Sequence, residues 1–474
     1  MTSGGKRAGA PPAEAYSPRR RSALVFVGTG TSGAYHAGVL RALHEAGTKI
    51  DLVAGQGMGA VSAMLAAVDM GPTLWSDGGL WRPKAVAHLY SWHPVLQILG
   101  VGAAVAVVLV LAPLVLVAAG LLVFALDFAG QMVGLSGGGL AADFAGLATA
   151  AFQPTALATW VPRLVVAALG AAGALAVAAS AASVRGRRRR GPLWRRLIPT
   201  PLSSTSAVSH CWSTLWASMQ GASDLRQPTA RDLARRYTVL LAENLGQPGF
   251  RELVLGVHDL DTHRDMIFAL VTDDRRASLT RREATAETDA RRAEVIDLCG
   301  FAQEHVADAI AAALSVPVVT SPHPTTFAAD GAWRGETHRL CDRPGVLHRL
   351  VDELFALGVE QIVLVSAAPE VAAPHSLAAP RLDGRGLIGE YVQATEAATV
   401  RDVVRQARVR GTHLHLIRPT HNPIGPFDFR GGFDDRSDRL QSVAELVARG
   451  YEDAYRQFVE PVMAPSGDRI GTNP

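Results

Sequence analysis

A short apolar run, Ile50 to Ala54, passes into Gly55-Gln56-Gly57-Met58-Gly59 and then into a helix-forming stretch from about Ala60. A strand that turns sharply into a helix, with glycine on both shoulders, is the frame of a nucleophile elbow, G-x-S-x-G, which holds a serine Oγ above the edge of a sheet. Here the central position is Gly57. The frame is present and the hydroxyl is missing, so these five residues say more about fold than about chemistry.

A second glycine loop lies upstream. Ala23 to Val27 reads as a buried strand. It runs into Gly28-Thr29-Gly30-Thr31-Ser32-Gly33 and then a helix over Ala34 to Ala46, with Val39, Leu40 and Leu43 on one face and Gly47 at its end. Two readings compete. G-x-G-x-x-G between a strand and a helix is the dinucleotide fingerprint, which makes the chain a nucleotide-binding membrane protein. That motif also needs an acidic residue at the end of the second strand to hold the ribose hydroxyls. Asp51 opens that strand instead. The other reading is an oxyanion hole, in which backbone N–H groups stabilise charge developing on a carbonyl oxygen. A loop after strand one and an elbow after strand two meet at one sheet edge, and Gly28, Gly30, Ser32, Gly33 and Met58 are the residues placed to build such a hole.

Further downstream, Ala309–Leu314 reads as a helix end before Ser315-Val316-Pro317 and the extended Val318-Val319. Phe327-Ala328-Ala329-Asp330-Gly331-Ala332 follows, then Cys341 to Gly345, a helix over Leu347–Leu357 and a strand over Gln361–Ser366. With Gly-Ala-Tyr-His-Ala-Gly-Val-Leu-Arg-Ala-Leu closing the first loop, this order resembles the patatin-like phospholipase family. The resemblance spans the chain outside its N-terminal tail and an apolar hairpin. It implies a three-layer α/β domain with a mostly parallel sheet, a Ser-Asp dyad, a glycine loop of the form G-G-G-x-[KR]-G, and Asp330, in the D-G-[GA] motif, as the dyad base.

Three residues depart from that pattern. Gly57 stands at the nucleophile, Ser32 stands where the loop carries Arg or Lys, and Thr29 replaces a loop glycine. Glycine relieves the strain the elbow places on its central residue, so the fold survives the change. Loss of the nucleophile costs up to about 10⁶ in turnover. Ser62, five residues on, lies about 7.5 Å further along the helix, too far for the same hole. Ser32 in the loop and a water activated by Asp330 are the remaining substitutes. The plainer expectation is that Asp330 orders its loop by accepting backbone hydrogen bonds.

The hairpin sets the location. Pro94 to Leu126 carries no charge, enough for a bilayer span of about 20 residues, with Pro113 as a kink point. Leu164 to Val184 is a second uncharged stretch whose small residues suit close packing on the first. Arg82 and Lys84 precede the first span, and Arg185-Gly186-Arg187-Arg188-Arg189-Arg190, Arg195 and Arg196 follow the second, while Arg163 is the one basic residue between them. The positive-inside rule then places both termini in the cytoplasm. The competing reading is an apolar hairpin buried in a soluble protein. Arg185 to Arg196 suits anionic lipid better than nucleic acid.

The expected organisation is therefore a basic tail at 1–21, without the apolar core of a signal peptide; a first patatin-like part at 22–93; a span at 94–126; a non-cytoplasmic loop at 127–163; a span at 164–184; a basic linker at 185–200; a second patatin-like part at 201–465; and a tail at 466–474. Net charge is only +3, and three scattered cysteines, Cys211, Cys299 and Cys341, suit a reducing compartment better than a disulfide framework or zinc site. His413 and His415 share a strand face without a third ligand, so no metal is expected. Asp259 and Asp261 read as loop carboxylates, Asp434, Asp435 and Asp438 as surface pairs, and Asp273–Arg292 as a mobile charged surface segment. Trp75, Trp81 and Trp92 precede the first span, and Trp92 suits an interfacial belt. The functional expectation is a membrane-anchored, catalytically silent patatin homologue that binds lipid acyl chains or regulates a protein partner, with no cofactor. An active acyl hydrolase with another nucleophile is the alternative.

Overall fold

The structure is a computed structural model describing residues 16–463, apart from 77, 82, 135–138, 185–199, 221–225, 281–293, 301, 330, 370–383 and 435–438. It divides into two compact units, one formed by residues 1–91 and 202–474 and the other by 92–201. The strands are β1 (Ser22–Val27), β2 (Leu52–Gln56), β3 (Ser91–Trp92), β4 (Leu202–Ser203), β5 (Glu252–Asp259), β6 (Arg264–Leu270), β7 (Val295–Asp297), β8 (His323–Thr326), β9 (Thr337–Cys341), β10 (Gln361–Ser366), β11 (His413–Ile417), β12 (Gly432–Asp434) and β13 (Arg439–Gln441).

The first unit is built on a mostly parallel sheet ordered β11-β10-β1-β2-β5-β6-β7, with the β8–β9 hairpin attached to β5. β11, β10, β1, β2 and β5 run parallel, whereas β6 and β9 run antiparallel to β5. Helices cover both faces, so the central strands are apolar on both sides. Leu24, Phe26 and Val53 face α1 (Ser32–Glu45) and α2 (Met58–Ala67). Ala23, Val25, Leu52 and Ala54 face the helices Val346–Ala356 and Gly384–Val409. The short helix α3 (Pro72–Trp75) follows α2, and α4 (Pro83–Val86) precedes β3.

The second unit holds α5 (Pro94–Met132), α6 (Gly139–Phe152) and α7 (Pro154–Val184). Gly102 lets α5 approach Ala172 of α7, because a Cβ there would lie 2.3 Å from the alanine Cβ. Large apolar side chains such as Leu114, Leu121 and Val166 point outward. Three segments, Pro94–Ala112, Leu114–Met132 and Trp160–Ala179, are long and apolar enough to cross a membrane. The sequence reading expected two. The 39 residues of α5 extend about 58 Å at ~1.5 Å per residue, nearly twice a hydrocarbon core of about 30 Å. The stretch 127–163, expected as a loop, is helical over most of its length, as the end of α5, α6 and the start of α7.

Other expectations shift. The expected tail is tied down from Tyr16, which is buried and donates to the Lys49 carbonyl at 2.5 Å, while Ser17 and Gln361 exchange hydrogen bonds. Asp259 is no loop carboxylate: it ends β5, fully buried, 2.6 Å from His338 Nδ1. Of the expected mobile segment, Asp273–Thr280 is a helix and 281–293 lies outside the described residues. So do residues 435–438 and the arginine run 185–196. His415 stacks edge-on against Phe458, and among the described residues no cluster of three metal-ligating side chains occurs.

Candidate functional site

The elbow forms where β2 meets α2. Gly57 adopts φ +58° and ψ −138°, a conformation side-chain-bearing residues reach only with strain, and the helix starts at the next residue. Gly59 allows the close approach of α2 to β1, since a Cβ there would lie 2.2 Å from the Phe26 carbonyl oxygen. A Cβ at Gly57 would lie 2.5 Å from the Gly28 carbonyl oxygen and 2.8 Å from Asp342 Oδ2. The space a serine would use is therefore filled by backbone and by a carboxylate.

That carboxylate belongs to Asp342, the residue after β9, and not to the residue the D-G-A motif indicated. Asp330 itself lies outside the described residues, and its neighbours Ala329 and Gly331 are exposed between β8 and β9. Asp342 is buried and accepts from Thr29 Oγ1 at 2.9 Å. Burial pushes its carboxyl up to about 7, against the stabilising Thr29 hydroxyl and Arg343 amide. A second carboxylate, Glu396 in the helix Gly384–Val409, reaches the same loop. It is buried, accepts from Ser366 Oγ at 2.8 Å and takes a backbone hydrogen bond from Thr29. Burial also raises its carboxyl to about 7, and the charge of Asp342 adds to the rise. Two buried acids thus grip Thr29 from two sides.

Of the expected oxyanion donors, Met58, Ser32 and Gly33 are engaged within the protein. The Met58 N–H, the donor that follows a nucleophile in an elbow, bonds the Gly28 carbonyl at 2.7 Å. In the loop, Ser32 N–H bonds the Thr29 carbonyl at 3.3 Å and Gly33 N–H the Gly30 carbonyl at 3.4 Å. Thr31 N–H donates to the Pro426 carbonyl at 3.0 Å, and its hydroxyl to the Gly425 carbonyl at 2.9 Å. Gly30 accommodates that approach, because a Cβ there would lie 1.7 Å from the Pro426 oxygen. Ile424, Phe427 and Phe429 anchor the covering segment in the core, with Tyr90 stacked on Phe429 at 5.5 Å. With the Thr31, Ser32 and Gly33 N–H groups on protein carbonyls and the Thr29 N–H on Glu396, most of the loop's donors are turned away from a diphosphate, which argues against the dinucleotide reading.

The candidate replacement serines fare no better. Ser32 Oγ donates to the Thr29 carbonyl at 3.0 Å. Ser62 Oγ meets His36 Nδ1 at 3.4 Å inside the core, where burial pushes the imidazole down to about 3. Trp81 is buried and packs over Gly33, while Trp92, the tryptophan suited to an interfacial belt, is 45% exposed. Sequence reasoning missed Asp342, Glu396 and the Pro426 segment. Only Glu396 carried a signal, as an acid on the apolar stripe that continues through Val400, Val403 and Ala407.

A glycine loop after the first parallel strand, an elbow after the second and a buried acid between them form the frame of an elbow-type acyl hydrolase lacking its hydroxyl. The patatin-like phospholipase family model matches residues 24–102, which contain both loops. Among solved structures, the chain is similar to VipD from Legionella pneumophila at 11% identity and a TM-score of 0.31, over 94% of this chain and 67% of that chain. A likeness that slight carries no argument about activity. No curated protein matches the chain.

Proposed function

We propose that this chain is a membrane-anchored patatin-like protein whose acyl-hydrolase site is closed and silent, and that it binds lipid or regulates a partner without cleaving esters. The observation that carries this reading is the Met58 N–H bonded to the Gly28 carbonyl beside a nucleophile position that is glycine. Acyl transfer needs an attacking atom and a free donor for the oxyanion, and here both are missing from the elbow. The apolar helices support anchoring, with both termini cytoplasmic and Arg185–Arg196 against anionic lipid. The test is fatty-acid release from phospholipid, lysophospholipid and triacylglycerol by the protein in lipid nanodiscs. Release by the wild type should equal that of Asp342→Asn and of empty discs. Release that Asp342→Asn abolishes would end the silent reading.

One observation favours a second reading. Thr29 Oγ1 lies 2.9 Å from Asp342, a hydroxyl–carboxylate pair of dyad geometry moved from the elbow to the glycine loop. A working hydrolase on this pair requires the Gly28 carbonyl to withdraw and the Pro426 segment to lift. Ester turnover lost in Thr29→Ala and kept in Thr29→Ser would establish it.

A further inference from the structure

Val318, in the turn between the helix His305–Ala313 and β8, has φ +70° and is 79% exposed. A β-branched residue holds that conformation only where its surroundings enforce it. Val316 and Val319 on either side are buried. The Thr320 hydroxyl accepts from the Val316 N–H at 2.8 Å, and the Thr320 N–H donates to the Val316 carbonyl at 2.8 Å. The turn is thus pinned from below while its apolar tip stands in the open. Glycine or asparagine would relieve the strain at such a tip, but neither offers an apolar side chain.

The turn lies where the chain leaves the first unit and returns to it. Tyr90, next to the last residue before the chain leaves, donates its buried hydroxyl to the Leu314 carbonyl at 2.8 Å. Leu202, where the chain returns, donates its N–H to the Val319 carbonyl at 2.9 Å. The outgoing and returning chains are therefore both bonded to the segment that carries Val318. The first segment apolar enough to span begins at Pro94, three residues beyond Ser91, and three residues reach at most about 11 Å. The turn also marks the elbow end of the sheet, since the Ser315 carbonyl accepts from the Asp342 N–H at 2.7 Å. From Ala309 to Ala329 there is no Asp, Glu, Lys or Arg, so Val318 can enter a lipid surface without drawing a charge from its own segment in with it.

We propose that Val318 is seated in the headgroup layer of the bilayer that the apolar helices enter, and that its turn thereby holds the elbow end of the sheet against lipid. The partner is a lipid surface, and the contact is apolar, so it does not require anionic headgroups. This inference rests on the membrane-anchored reading above.

The experiment places an environment-sensitive fluorophore on single introduced cysteines of the full chain in phosphatidylcholine nanodiscs. Wild-type protein labelled in parallel corrects for the native cysteines. Val318→Cys is compared with Val108→Cys in α5 and with Val409→Cys. Val409 is 84% exposed and precedes β11, whose start pairs with the start of β10, so it lies at the other end of the sheet. Quenching by a nitroxide on the lipid headgroup should be several-fold stronger at 318 than at 409. A nitroxide near the acyl terminus should quench 108 most, and aqueous iodide should reach 409 alone. Ser321→Cys, exposed in the same segment, is read by the same criteria should Val318→Cys melt below wild type. Headgroup quenching at 318 no stronger than at 409, with 108 shielded from iodide, would overturn the seating of Val318 and leave the anchoring intact. Iodide reaching 108 as well would overturn the anchoring, and the seating of Val318 with it.

Discussion

The Gly28 carbonyl oxygen sits 2.7 Å from the Met58 amide nitrogen and accepts its hydrogen bond. In an elbow hydrolase that N–H is kept for the oxyanion of the reacting ester, where a single donor of this kind is worth about 10²–10³ in turnover. On the function proposed above, the protein's own carbonyl takes the place of the substrate's. The same oxygen lies 2.5 Å from where a Gly57 Cβ would be, so one backbone group occupies both the hole and the nucleophile's position.

Restoring the serine should therefore not restore activity. Gly57→Ser needs the Gly28 peptide and the Asp342 carboxylate to move, and places a side chain at φ +58°. Backbone strain of this kind costs about 1–3 kcal/mol. The expected outcome is a melting temperature lowered by a few degrees and no ester hydrolysis above background, read by calorimetry and a chromogenic ester assay. Robust turnover in this variant would show that the hole opens readily.

Asp342 and Glu396 make stability depend on pH in a definite direction. Both folded carboxyls sit near 7, above their ordinary values near 4, so between about pH 4 and 7 the folded protein holds more protons than the unfolded chain. Stability is then fully present below about pH 4 as regards these two groups, falls as pH rises to about 7, and levels off above that. Asp342→Asn and Glu396→Gln should each raise the melting temperature at pH 8 and flatten the slope between pH 5 and 7. A pH profile left unchanged by both would contradict the burial assigned to these acids.

Thr29 bonds both acids, its hydroxyl donating to Asp342 and its backbone N–H to Glu396. Thr29→Val removes the hydroxyl that Asp342 accepts from, leaving a buried carboxylate short of a partner, at about 1–3 kcal/mol. The loss should be larger at pH 8, where Asp342 is charged, than at pH 5. Thr29→Ser keeps the hydroxyl and should stay within about 1 kcal/mol of wild type in denaturant titration.

How far the sequence was legible depends on how local each signal is. The elbow, the first glycine loop and the alternating strands and helices around them were readable, because turn chemistry and apolar runs act over a few residues. Element bounds moved by a few residues only: β2 runs to Gln56 and α2 starts at Met58. Asp342 was not readable as a neighbour of the elbow: the β8–β9 hairpin returns the chain to β5, and the pairing of Cys341 with His258 brings Asp342 toward it, while Asp330 of the D-G-A motif lies outside the described residues. Antiparallel pairing across that many residues has no local signature. The Pro426 segment was hidden for the same reason, since nothing near Gly425 signals a contact with Thr31. The length of α5 was hidden by Asp127, which reads as the end of a span although the helix continues to Met132.

The apolar helices predict behaviour in a membrane. Expressed as the full chain, the protein should stay in the membrane pellet through alkaline carbonate extraction and be released by detergent. A cysteine introduced near residue 185 should react with a membrane-impermeant maleimide only after the inner face is opened. Release by carbonate would return the hairpin to the status of a soluble core.

The most direct test of the closed site is intact-protein mass spectrometry of the full chain after exposure to a fluorophosphonate, which traps any activated hydroxyl beside a working oxyanion hole. The account predicts no adduct on the wild type at neutral pH, with a genuine serine hydrolase in the same tube fully labelled. A stoichiometric adduct that maps to Thr29 or Ser32 would contradict it.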